Sequence, residues 1–256
     1  MKLFCRQYGT GPPMVILHGL FGISDNWASI ARALGEKYTV YVPDLRNHGQ
    51  SPHSQVFDFN VMENDLLELT EESGLDRLVL MGHSLGGKIA MYFALHHPQK
   101  IKRLIIVDIS LRRTGVNNEQ QALLDAMQKV DFSMVHSRSD VERQLEVYVQ
   151  SRRLRQFLLK NVYWRNNKTL DWRLNLPAIN ENLLNIFEGV QVSGKYTGPV
   201  LFIRGGNSGY ITDEDLEELK NKFPGAVVKT IPKAGHWVHA DSPGEFLKAV
   251  RAFSDQ

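Results

Sequence analysis

Cysteine is almost absent from these 256 residues: Cys5 stands alone. No internal disulfide can form, which suits a reducing compartment. Long apolar runs are missing as well. The longest, such as residues 104–107, are strand-sized, far below the roughly 20 residues of a membrane-spanning helix. A large charge of either sign is also lacking. Thirty Lys and Arg face 28 Asp and Glu, a formal net charge of +2. That balance gives no general attraction to nucleic acid or to a membrane surface. At the N-terminus, Lys2, Arg6 and Gln7 arrive before any apolar stretch of signal-peptide length. Together these absences predict a soluble, cytoplasmic protein whose partner is a small molecule. No His/Cys cluster at metal-ligand spacing is found, so no metal or other cofactor is expected.

What is present is a rhythm. Short apolar runs recur, each closing on a polar or glycine-rich turn. Residues 14–17 precede His18-Gly19, 38–42 precede Pro43-Asp44, and 78–81 precede Gly82. Residues 104–107 precede Asp108, 200–203 precede Arg204-Gly205-Gly206, and 227–231 precede Pro232. Runs without polar alternation fit strands buried on both faces of a parallel sheet. Helical spacing of apolar residues fills the gaps at 27–34, 61–69, 88–95 and 216–223. A last helix opens with Ser242 as cap and Pro243 at its first position. Alternation of this kind predicts an α/β fold: a mostly parallel sheet with helices on both faces.

One interval breaks the rhythm. Between 110 and 199 no strand is evident, and about 90 residues far exceed what a crossover connection needs. Residues 121–127, 141–150 and 154–159 have helical patterns. We read 111–180 as a helical cap inserted into a core made of 1–110 and 181–256, with a loop at Asn166-Asn167-Lys168. Nine Lys and Arg, among them Arg152 and Arg153, face four Asp and Glu between 136 and 173. This local excess suits either a solvated helix face or the recognition of an anionic acyl carrier.

Gly82-His83-Ser84-Leu85-Gly86 follows a strand and opens a helix. A serine on so sharp a turn projects its hydroxyl clear of the sheet, and the glycines let neighbouring backbone pass closely. The Leu85 N–H at the helix start faces the same centre as an oxyanion donor. A second donor is expected from His18-Gly19-Leu20-Phe21-Gly22, with Leu20 preferred and Phe21 next. A hydroxyl needs a base to become a nucleophile. Of nine histidines, His236 lies between the last strand and the last helix, at the carboxyl edge of the sheet that Ser84 shares. His239 is its rival.

These segments, in this order, resemble the α/β-hydrolase superfamily over nearly the whole chain. The resemblance implies a triad whose acid, in most members, follows the strand after the cap. Here that place reads Arg204-Gly205-Gly206-Asn207-Ser208-Gly209-Tyr210, without a carboxylate. The nearest acids are Asp213, Glu214 and Asp215, and Thr212 with Asp215 already reads as a helix-start motif. Asp108, at the end of the strand beside the elbow, is the alternative, since a triad is defined by geometry. That displacement, with Asp44-Leu45-Arg46-Asn47-His48-Gly49-Gln50-Ser51-Pro52-His53 and Arg204-Gly205-Gly206-Asn207-Ser208, is similar to the YbfF-type esterase subgroup. The similarity implies hydrolysis of short acyl esters and acyl-CoA thioesters, with Ser84, Asp108 and His236 as triad and Asp44 and Arg46 holding their loop together. Carbon–carbon bond hydrolysis, a cofactor-free lyase reaction, and a ligand-binding receptor are the alternatives on the same fold.

Overall fold

Each of the six apolar runs is a strand, and a short strand missed by the hydropathy pattern joins them at one edge. In the computed structural model, which describes residues 1–114, 118–166 and 168–255, the chain begins β1 (Cys5–Tyr8), β2 (Pro13–Leu17), α1 (Ala28–Leu34), β3 (Thr39–Pro43) and α2 (Phe59–Glu72). It continues β4 (Leu78–His83), α3 (Leu85–His96) and β5 (Ile101–Val107). The long interval holds α4 (Asn118–Gln128), α5 (Arg138–Glu146), α6 (Arg152–Leu159), β6 (Val162–Arg165), β7 (Thr169–Trp172), α7 (Leu176–Glu181) and α8 (Leu183–Phe187). The chain then closes with β8 (Val200–Gly205), α9 (Asp215–Lys222), β9 (Ala226–Ile231), α10 (Val238–Asp241) and α11 (Pro243–Ser254).

The main sheet runs β1-β3-β2-β4-β5-β8-β9, and every pairing is parallel except β1 with β3. Successive strand side chains point to opposite faces, and two cores result. Val15, Leu17, Leu80, Ile106 and Phe202 meet α2 and α3 on one face. Met14, Ile16, Met81, Ile105 and Ile203 meet α1 and α11 on the other. Burial on both faces explains why these strands show no polar alternation. β4 and β5 stand at the centre, so the ends of both lie over the middle of the sheet.

Two sequence expectations need correction. The interval 110–199 is not free of strands: β6 and β7 form an antiparallel hairpin from Val162↔Trp172 to Arg165↔Thr169. Four-residue strands rich in aromatic and β-branched residues leave little periodic signal inside a helical segment. Asn166 takes a positive φ of 51° at the hairpin turn, while Asn167 of the expected loop lies outside the described residues. The second concerns Ser242. It occupies the cap position of α11, yet its side chain makes no capping hydrogen bond. Pro243 at the first helical position marks the start instead.

Candidate active site

Ser84 sits between β4 and α3 at φ 52°, ψ −118°. A non-glycine residue in such a region stores backbone strain of about 1–3 kcal/mol. The strain is held by close backbone packing. A Cβ on Gly82 would lie 2.1 Å from the Gly86 carbonyl oxygen, and one on Gly86 would lie 2.5 Å from that of Leu17. The Ser84 N–H donates to the Val107 carbonyl at 3.1 Å, which ties the elbow to the neighbouring strand.

One residue further along that strand is Asp108, fully buried and also at positive φ, 51°. Its N–H donates to the Ile203 carbonyl at 2.8 Å, so it is anchored to β8. Its Oδ1 accepts from the Gly205 N–H at 2.8 Å. Its Oδ2 accepts from the Ser208 hydroxyl and stands 2.8 Å from His236 Nδ1. A carboxylate accepts only, so the proton on the imidazole lies at Nδ1 and the lone pair at Nε2. His236 and Asp108 thus meet as the sequence reading expects. His239 does not share that carboxylate. It stacks on Trp27 with ring centroids 4.0 Å apart, and burial lowers its pKa to about 3.

The other acids near β8 have separate work. Asp215 accepts from the Thr212 N–H at 2.7 Å and pairs with Arg112 at 2.9 Å. Asp213 pairs with Arg204 at 2.7 Å. Asp44 accepts from the Ser24 and Gln50 N–H groups, and Arg46 pairs with Asp65 at 2.6 Å. Both therefore brace the 44–52 loop.

Of the expected oxyanion donors, Phe21 is already engaged. Its N–H is committed to His48 Nε2 at 3.2 Å. Among the described residues, neither the Leu20 nor the Leu85 N–H has a hydrogen-bond partner. Both residues line a cavity of about 330 Å³ together with Ser84 and His236. That volume lies within the range of small-molecule sites. Trp27, Leu123, Phe157, Ile186 and Trp237 supply apolar wall. The segment 111–180 contributes Leu123 and Phe157, so it does border the site.

Several contributors escaped the sequence reading. His83 Nε2 stands 2.9 Å from the His236 carbonyl. Burial, then the neighbouring His236 and His239, push its pKa well below the usual range. It is therefore neutral, donates to that carbonyl, and adds no cation beside His236. Ser208 lies in the stretch read for its missing carboxylate, where its hydroxyl donates to Asp108. Lys88, one turn after Ser84, is buried and donates to the carbonyls of Phe187 and Glu188 at 3.2 and 2.6 Å. Burial pulls its pKa down to about 8.

Comparison with known proteins agrees with this architecture. A family model for the alpha/beta hydrolase fold matches residues 12–243. The sn-1-specific diacylglycerol lipase ABHD11 of Danio rerio is 39% identical over 251 residues, covering 96% of this chain and 79% of that protein. Esterase YbfF of Escherichia coli K12 is 32% identical over 241 residues, covering 94% and 92%. A solved structure titled marine microorganism esterase superposes with a TM-score of 0.94 at 38% identity, covering 98% of this chain and 99% of its own. Strand order, elbow geometry and these similarities lead to one conclusion: the chain belongs to the α/β-hydrolase family.

Proposed function

We propose that this protein is a carboxylic ester hydrolase that works through an acyl-enzyme on Ser84, with His236 as base and Asp108 as its acid partner. The relatives named esterase or lipase support hydrolysis of acyl esters. The observation that carries the assignment is the buried Asp108 carboxylate, 2.8 Å from Nδ1 of His236, which lines the same cavity as Ser84. His236 Nε2 takes the Ser84 proton as Oγ attacks the acyl carbonyl. The Leu20 and Leu85 N–H groups hold the oxyanion. His236 then returns the proton to the leaving alcohol or thiol as the carbonyl re-forms. Water, deprotonated by the same imidazole, attacks the acyl group and releases the acid. Asp108 keeps the imidazole in the required tautomer and offsets its charge when protonated. Residues 111–180 act as the cap over this cavity.

A fluorophosphonate probe followed by peptide mass spectrometry tests the nucleophile. Label on the Ser84 peptide, with loss of nitrophenyl-ester turnover in Ser84→Ala, is the expected result. Label elsewhere, or full activity in Ser84→Ala, contradicts it.

A further inference from the structure

The turn that carries Leu20 is held at three successive peptide units by three side chains. The Gly19 carbonyl accepts from the Gly22 N–H at 2.9 Å and stands 2.8 Å from His18 Nδ1. In a trans peptide, C=O and N–H point in opposite directions. Fixing the Gly19 oxygen therefore fixes the direction of the Leu20 N–H. The next unit donates the Phe21 N–H to His48 Nε2 at 3.2 Å. The third accepts, at the Phe21 carbonyl, from Asn161 Nδ2 at 2.8 Å. Phe21 itself sits at φ 60° with its ring buried, a conformation that surrounding contacts must enforce.

The three side chains are fixed in turn. His18 Nε2 accepts from the Leu45 N–H at 2.9 Å, so its proton lies at Nδ1. His48 Nδ1 faces the Arg46 carbonyl at 2.9 Å, so its Nε2 is the acceptor. Burial lowers His18 to about 4 and His48 to about 3, which keeps both neutral near pH 7. Asn161 lies between α6 and β6 and is fully buried. Its N–H donates to the Leu158 carbonyl at 2.9 Å and its carbonyl accepts from Arg173 at 2.8 Å. Its Oδ1 has no hydrogen-bond partner among the described residues. The amide is thus buried for the sake of one bond, the one to Phe21.

We propose that Asn161 and His48 are positioning residues that hold the Phe21 peptide units so that the Leu20 N–H stays aimed at the reaction centre. Asn161 belongs to the 111–180 segment. The oxyanion hole is then complete when that segment is seated, and lifting the segment removes one of the three anchors of the turn. This inference rests on the esterase reading above and deepens it.

The test compares transition-state and ground-state binding. A trifluoromethyl ketone analogue of the ester adds to Ser84 and places an oxyanion in the hole, whereas a methyl-ether analogue does not. In Asn161→Leu, kcat for nitrophenyl butyrate should fall about 10- to 100-fold, at or below the loss seen for a deleted oxyanion donor. KM should stay within about threefold. Affinity for the trifluoromethyl ketone should fall in step with kcat/KM, while affinity for the ether is unchanged. Asn161→Ala, smaller than leucine and unable to donate, should behave alike and carries the test if the leucine variant does not fold. His48→Phe should give the same pattern, and its combination with Asn161→Ala should cost less than the product of the two. Unchanged kcat in a folded Asn161 variant overturns the inference. So does an equal loss of affinity for ketone and ether. Absence of Ser84-dependent turnover in the unaltered protein is a different result: it overturns the esterase reading, and this role with it.

Discussion

At the scale of single residues, the acid role proposed for Asp108 is the sharpest test. Asp108 receives the Gly205 N–H, the Ser208 hydroxyl and His236 Nδ1. Asp108→Asn turns one acceptor oxygen into a donor amide. The imidazole is then held in the wrong tautomer, and kcat should fall by about 10⁴, as in serine-protease triads. Asp213→Asn and Asp215→Asn should leave kcat within about twofold, because these carboxylates serve Arg204, Arg112 and Thr212 instead. Steady-state kinetics on a nitrophenyl ester checks all three. Collapse of turnover in Asp213→Asn or Asp215→Asn, with Asp108→Asn unaffected, would reassign the acid. That Asp108 would meet His236 was readable because a carboxylate ends the strand next to the elbow. Ser208 was not, because a lone serine in a glycine-rich turn has no pattern that predicts what it touches.

At the scale of elements, the segment 111–180 shows what net charge hides. Its cations are largely matched: Arg143 with Asp140, Arg155 with Glu146, Arg165 with Asp171, and Lys160 with Asp25. Arg153 differs. It lines the cavity, pairs with Asp241 and lies over the Trp237 ring at 5.3 Å. Arg152 beside it is exposed and has no ion-pair partner among the described residues. Cations at the mouth of a cavity draw an anionic leaving group such as coenzyme A, and salt weakens that pull over about 10 Å at 0.1 M. Added salt should therefore lower kcat/KM for an acyl-CoA several-fold and leave a neutral ester level. Arg152→Glu with Arg153→Glu should act on the thioester alone. Equal responses of the two substrates would make the basic stretch ordinary surface.

At the scale of the whole molecule, buried neutral histidines set a limit at acid pH. His18, His48 and His239 have pKa values lowered from 6.5 to about 4, 3 and 3, in each case mainly by burial. Below pH 6.5 the unfolded chain takes up protons that the folded chain refuses, so stability falls as pH falls. Their contribution is fully present above about pH 6.5 and is lost progressively down to about pH 3. For His18 alone, a drop from 6.5 to about 4 corresponds to about 3 kcal/mol. Thermal unfolding followed from pH 7.5 to 4.5 should show Tm falling steeply below pH 6.5, and His48→Phe should flatten that slope. A flat Tm over this range would mean that the histidines protonate in place. Local chemistry in the sequence determined six strands of the main sheet, the elbow at Ser84, the place of His236 after the last strand and the α/β class, because apolar runs and glycine-bracketed turns act over a few residues. Tertiary structure alone decided the rest. It engaged the Phe21 N–H with His48, placed Ser208 against Asp108, and brought Asn161 to a peptide 140 residues away. Such contacts depend on how separate elements pack, and no spacing along the chain encodes which buried side chain meets which backbone group.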